Sequence, residues 1–297
     1  MAKSAFLKSS LAKKYWMALT GLFLCLFLSG HLAGNLQLLV PNNALNFNKY
    51  ALFMTSNPAV KILSYLTYLS IIFHAIDGIM LTIQNKASRP VGYAKSNASA
   101  NSAWASRNMA VLGTIILVFI VTHMVNFWAK MHFDKNMPLQ TITINAQGQS
   151  QEFYLTTDGG YLPKMQVDNK MIVIKDRTEF YDAGANVKIK EGYKDLYKIT
   201  IAFFKDAKYG LIFTLLYVLS MLVLSFHLLH GFSSAFQSLG LNHAKYTPTI
   251  KAFGKGFAIV VPLLFAIIPI YIHFFLKAYS AWIFNSMFYV DSFQILK

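Results

Sequence analysis

Eight histidines carry most of the chemistry this chain has to offer. Four of them, His31, His74, His123 and His227, lie deep inside apolar stretches, one in each. His230 follows His227 by three residues, about one helical turn. His132, His243 and His273 stand nearer the ends of such stretches or beyond them. An imidazole in hydrocarbon is costly without a partner. A neutral imidazole is also the commonest metal ligand among side chains.

The surroundings show how these histidines must be carried. The chain has 297 residues, of which 55% are hydrophobic and 13% charged. Its mean hydropathy is +0.43. Those values fit a polytopic membrane protein better than a water-soluble domain. Five runs are long enough to cross a bilayer as helices: residues 15–40, 58–84, 107–133, 209–236 and 253–278. The first follows Lys3, Lys8, Lys13 and Lys14, but it is too long for a cleaved signal and reads as a retained span.

Charge is unevenly spread. Residues 134–206 hold ten acidic and ten basic side chains, and the rest of the chain holds seventeen Lys and Arg against Asp77 and Asp291. The +15 net charge therefore belongs to the membrane part. Those cations flank apolar runs, which points to membrane topology and away from nucleic acid. Lys3, Lys8, Lys13 and Lys14, then Lys86, Arg89, Lys95 and Arg107, then Lys245, Lys251 and Lys255, fall on one side if five helices alternate. That side is expected to be cytoplasmic, with the C-terminus outside.

The expected fold is an all-α membrane protein, a bundle of five transmembrane helices with a small β-rich insert between helices 3 and 4. Residues 1–133 supply helices 1–3, residues 134–205 the polar extracytoplasmic insert, and residues 206–297 helices 4 and 5 with a tail. Alternating pieces such as Thr141-Ile142-Thr143-Ile144 and Val187-Lys188-Ile189-Lys190, with Gly148 and an Asp158-Gly159-Gly160 turn, predict strands in the insert. Residues 279–297, with Trp282, Phe284, Phe288, Tyr289 and Phe293, read as an interfacial aromatic segment.

With that topology the four buried histidines sort by depth. His31 and His123 lie late in outward-running helices, toward the outer side. His74 and His227 lie late in inward-running helices, toward the cytoplasm. Two pairs at two depths suit two planar metallocycles, each iron taking one imidazole from each face. Such ligation leaves no position for oxygen and serves electron transfer. The single cysteine, Cys25, rules out an internal disulfide, a cysteine zinc site and covalent C-x-x-C-H haem. Gly30, Gly34, Gly78 and Gly231 remove bulk near the histidines. Asn35 and Asn126 are candidate partners for ring nitrogens or propionates. Arg107 and nearby lysines are candidate propionate partners.

Four stretches carry a family resemblance: Gly30-His31-Leu32-Ala33-Gly34-Asn35, Phe73-His74-Ala75-Ile76-Asp77-Gly78, Thr122-His123-Met124 and Phe226-His227-x-x-x-Gly231. The chain resembles the five-helix, two-haem cytochrome b subunit of succinate:quinone oxidoreductases (succinate dehydrogenases and fumarate reductases). The resemblance covers the membrane core and not residues 134–205. It implies two b haems, a proximal one on His74 and His227 and a distal one on His31 and His123. It implies a bacterial cytoplasmic membrane, an FAD flavoprotein subunit and an iron–sulfur subunit on the cytoplasmic face, and a quinone substrate, menaquinone. Succinate chemistry would belong to the partners.

The chain also departs from that pattern. Fumarate-reducing relatives can carry membrane glutamates for protons, but no glutamate precedes Glu152 here. The one carboxylate in the spans is Asp77. Asp77 and His230 hold matching positions in the F-H-x-x-x-G frames, three residues after His74 and His227, and are expected to form a polar cluster by the proximal site. The alternative for Asp77 is a helix-end group reaching the interface. The segment 41–49, with Asn42, Asn43, Asn46 and Asn48, is read as a loop that offers amides to a quinone. Two other functions remain open: a cytochrome b anchor for a different dehydrogenase, and a transporter with a histidine path. No inverted repeat supports the latter.

Overall fold

The structure, a computed structural model, describes residues 10–88, 91, 97, 100, 102–146 and 149–276. Lys3, Lys8, Arg89, Lys95, Gly148 and the aromatic tail 279–297 lie outside the described residues.

Five helices are long and apolar enough to cross a membrane: Leu11–Leu39, Pro58–Ala87, Met109–Phe133, Gly210–Ser238 and Thr247–Phe275. In them α1 is Ser10–Asn35, α3 is Pro58–Ala87, α4 is Met109–His123, α6 is Gly210–Ser238 and α7 is Thr247–Ile270. Between α1 and α3 runs α2, Ala44–Ser56. Asn57 starts α3 well: its side chain accepts from the amides of Ala59 and Val60, and Pro58 needs no donor there. Leu26, Ile62, Val118, Leu215 and Leu263 are well exposed on the outer faces, as a lipid-facing surface requires.

Four helices enclose a cavity. The neighbours around it are α1 with α3, α3 with α4, α4 with α6 and α6 with α1; α7 packs outside against α6 and α1. Thus α1 faces α4 across the middle, and α3 faces α6. Two close approaches hold α7: Gly254 leaves room for the Phe232 ring, and Ala258 is fully buried. Pro262 and Pro269 break the hydrogen-bond ladder of α7, which ends in a π-helical turn, Tyr271–Phe275. The third span contains a second π-helical turn, Met124–Ala129, immediately after His123.

The insert holds two three-stranded antiparallel sheets. The first is β1 (Thr141–Ala146), β2 (Gln149–Leu155) and β3 (Tyr161–Pro163); the second is β4 (Ile172–Lys175), β5 (Glu179–Asp182) and β6 (Lys188–Glu191). They share a core of Leu139, Leu162, Ile172 and fully buried Phe180. The Asp158-Gly159-Gly160 turn forms as read, with Gly159 at φ +83°. Lys190 and the turn's own hydrogen bonds hold the Asp158 carboxyl below the usual carboxylate range.

Two helices of ten residues or more among the described residues were not expected. The segment 41–49 is not a loop, because α2 begins at Ala44 and buries Phe47, Asn48 and Ala51 on one side. The insert ends in an amphipathic helix, α5 (Leu196–Lys205), capped by the Asp195 carboxylate on the Lys198 amide at 2.9 Å. Tyr197, Thr200 and Phe204 form its buried face.

Helix α5 and the insert close one end of the bundle. Asn48 is their junction and is 1% exposed. Its amide donates to Gln140 Oε1 at 3.1 Å and to Asp195 Oδ1 at 2.9 Å, and its oxygen accepts from the Tyr197 amide at 3.0 Å. Lys205 Nζ donates to the carbonyl of His273 at 3.0 Å, and His273 Nδ1 donates to the carbonyl of Phe204 at 2.7 Å.

Candidate functional site

The four intramembrane histidines meet in two pairs. His31 on α1 and His123 on α4 have ring centroids 5.9 Å apart, with planes at 87°. His74 on α3 and His227 on α6 have centroids 6.2 Å apart, with planes at 68°. Each pair spans one diagonal of the four-helix ring. These are the pairings that depth in the sequence predicted.

The two pairs lie in series along the bundle. His74 touches Thr20 and Gly21 on α1, eleven and ten residues before His31. His227 faces Gly113 on α4, ten residues before His123. At the rise of a helix, those separations are about 15 Å. All four histidines line one cavity of about 1820 Å³.

Ring contacts engage Nδ1 of His74 and of His123, whereas the Asn35 amide stands 3.4 Å from Nδ1 and 3.5 Å from Nε2 of His31. The Thr20 hydroxyl donates to the carbonyl of Trp16 at 2.8 Å. Its oxygen, 3.3 Å from His74 Nδ1, therefore accepts from that nitrogen. A protonated Nδ1 leaves the lone pair on Nε2, which is how histidine ligands are commonly oriented. His123 Nδ1 lies 3.4 Å from the Tyr217 hydroxyl. His227 makes no hydrogen bond among the described residues, and its Nδ1 is fully buried. Among the described residues nothing offsets that burial, which a metal bond would do.

These observations fit the group that the sequence resemblance implies. Two imidazoles that shared one metal, each with a nitrogen about 2 Å from it, would have centroids roughly 6–6.5 Å apart. The 6.2 Å of the His74–His227 pair falls within that spacing, and the 5.9 Å of the His31–His123 pair lies just below it. Among the described residues no cluster of three or more His, Cys, Asp or Glu could hold a bare metal ion. Donors in twos, flanking a roomy apolar cavity, suit a planar macrocycle that brings its own four nitrogens.

The other candidate residues divide. Asn35 lines the cavity; its amide donates to the His31 carbonyl at 2.8 Å and stands 3.4 Å from His31 Nδ1. Asn126 lies beside the Tyr217 hydroxyl, which in turn faces His123 Nδ1 at 3.4 Å. His230 lines the cavity one turn from His227. Asp77 does not line it and interacts with Lys13 and His74; no hydrogen bond or ion pair joins it to His230 among the described residues. Arg107 bonds the carbonyl of Ser102, outside the cavity lining. Lys14 lines the cavity near the proximal pair's end, and Lys61 and Lys194 line it at the insert end.

The glycines also divide. Gly30 has open space beside it, and Gly78 and Gly231 have only distant methionine methyls. Gly34 is occupied differently from expectation, because a Cβ there would collide with Tyr50. Gly21 and Gly113, which sequence reasoning missed, stand against the proximal rings: a Cβ would come 3.2 Å from His74 Cε1 and 3.6 Å from His227 Cε1. Thr20 and Tyr217 were missed as well, since nothing in a single sequence marks which residue of a neighbouring helix faces a histidine.

Asn43, Asn46 and Asn48 of the segment 41–49 are engaged in the fold. Asn43 donates to the Gln37 carbonyl at 3.2 Å and accepts from Asn46 at 2.8 Å, and Asn48 is the buried junction described above. No protein-family profile, curated protein or solved structure matches this chain.

Proposed function

We propose that this chain is a two-haem b cytochrome that carries electrons across a membrane, and that it serves as the anchor subunit of a succinate:quinone oxidoreductase. The observation that carries the first part is the pairing of His31 with His123 and His74 with His227 on the two diagonals of one bundle. A haem with two imidazole ligands supplies one-electron transfer and no open position for oxygen. The chain's own residues supply the ligand nitrogens, orient them and keep them dry. Thr20 fixes the His74 ring, and Tyr217, with Asn126 behind it, faces Nδ1 of His123. Such partners raise ligand basicity and set ring angle. Gly21 and Gly113 let the proximal rings approach α1 and α4 closely.

The second part rests on the ordered motifs around the four histidines. In that reading the proximal pair faces the cytoplasm, where an FAD flavoprotein and an iron–sulfur protein dock. The distal pair and the insert face the other side, and menaquinone exchanges electrons with the chain. Copurification tests it. A flavin subunit and an iron–sulfur subunit should accompany the chain from its native membrane, and succinate should reduce its haem. Haem without those partners, and with no response to succinate, refutes the anchor role and leaves a cytochrome for another dehydrogenase.

A further inference from the structure

Arg177 occupies an unexpected place. With Asp176 it forms the centre of the turn from β4 to β5, closed by the Thr178 amide on the Lys175 carbonyl at 3.2 Å. Both central residues have positive φ, +46° for Asp176 and +69° for Arg177. Such turns favour Asn-Gly or Asp-Gly, because a side chain at the second position crowds its own backbone. An arginine there offers one thing that glycine lacks: its Nη1 donates to the carbonyl of His132. Lys194, from the other end of the insert, donates to the neighbouring carbonyl of Met131 at 2.7 Å.

Both cations thus hold the last turn of the third span, where carbonyls have no helical partner and positive charge is favoured. Burial and the nearby Arg177 lower the Lys194 ammonium's pKa, so this placement is not an ordinary surface contact. The grip continues toward His123. His132 Nδ1 donates to the carbonyl of Trp128 at 2.8 Å, and the two rings stack with centroids 4.6 Å apart. Trp128 belongs to the π-helical turn Met124–Ala129, which begins right after His123. A π-helical turn is rare and marks functional positions in helices. Its far end is what the insert holds.

We infer that the insert is a clamp on the distal pair, with Arg177 and Lys194 as positioning residues that set how His123 meets His31. The inference rests on the reading that this pair holds a haem. It gives residues 134–205 a role that the membrane core cannot supply for itself.

The test uses the full chain with its haems in place. Arg177→Gly, Lys194→Met and Lys194→Arg are compared by redox titration and by low-spin ferric EPR, with each haem's signal assigned through His31→Ala and His74→Ala. Arg177→Gly should shift or broaden the signal of the His31–His123 haem and leave the other unchanged, although glycine suits the turn better. Lys194→Met should do the same, and Lys194→Arg should restore the wild-type signal. If Lys194→Met does not fold, Arg177→Gly decides alone. Wild-type signals from both haems in Arg177→Gly would overturn the clamp, and so would an equal change in both. A wild-type chain without haem would instead remove the cytochrome reading on which the clamp depends.

Discussion

Replacing Asn48 with alanine separates two roles for that residue, a structural junction and a quinone ligand. The side chain makes three hydrogen bonds, two as donor and one as acceptor, at 2.9–3.1 Å. Alanine removes all three and strands partners that are themselves buried: Gln140 at 5% exposure, Asp195 at 8%, and the Tyr197 amide. A buried hydrogen bond is worth about 1 kcal/mol, and a stranded buried partner adds further cost, so the sum is about 3–5 kcal/mol. Asp195 keeps its bond to the Lys198 amide, which argues for the lower half of that range. At about 2–4 °C per kcal/mol for larger domains, the unfolding midpoint should fall by roughly 10 °C. Thermal unfolding in detergent reads this directly, and protease cleavage within residues 134–205 should accelerate in parallel. Asn48→Asp should be no better, since it sets a second carboxylate against Asp195. Combining it with Asp195→Asn should recover only part of the loss: the new amide can donate to the introduced carboxylate, but the Oδ1 it replaces also caps the Lys198 amide. A stable Asn48→Ala chain with impaired quinone turnover would refute the junction.

Other expectations follow from the site. His31→Ala or His123→Ala should remove one haem and leave the other, and His74→Ala or His227→Ala should do the converse; haem content per chain measures it. His230→Ala should keep both haems, and loss of the proximal haem in His230→Ala but not in His227→Ala would reverse the ligand assignment. Gly21→Val should disturb the proximal haem selectively, because even a Cβ would stand 3.2 Å from His74 Cε1, closer than ordinary contact; the optical spectrum of each haem is the readout. The Asp158 carboxyl is held low by Lys190, Thr156 and Gly160. A depressed carboxyl stabilises the fold above its unfolded value near pH ~3.9 and loses that contribution as pH falls toward the folded value. Unfolding of the insert should therefore steepen in that acid window, and Asp158→Asn should flatten the dependence.

The parts of this protein legible in its sequence are those governed by long apolar runs. The five spans appear because each is a stretch that only a bilayer or a core could accept, and direction alternates along the chain. Depth then sorts His31, His74, His123 and His227 into the pairs the structure displays. Helix α2 was hidden because Asn42, Asn43, Asn46 and Asn48 read as turn formers, while burial of Phe47, Asn48 and Ala51 depends on an insert nearly a hundred residues later. Helix α5 was hidden by its place at the end of strand-rich sequence; its boundary is set by the Asp195 cap. Thr20, Gly21, Gly113 and Tyr217 were beyond reach for a different reason. Rotation of one helix about its axis decides whether such a residue meets a histidine or lipid, and rotation is fixed by packing among all four helices. Arg177 is the extreme case, a turn residue in a β-hairpin that acts on the end of a membrane helix.

The central claim is that each histidine pair holds one haem. Pyridine haemochrome analysis of the purified full-length chain, with protein determined independently, measures it most directly. Two b haems per chain are expected, both six-coordinate and low-spin, with one lost from each single-pair variant. A folded, colourless chain, or one haem that survives substitution of either pair, contradicts it.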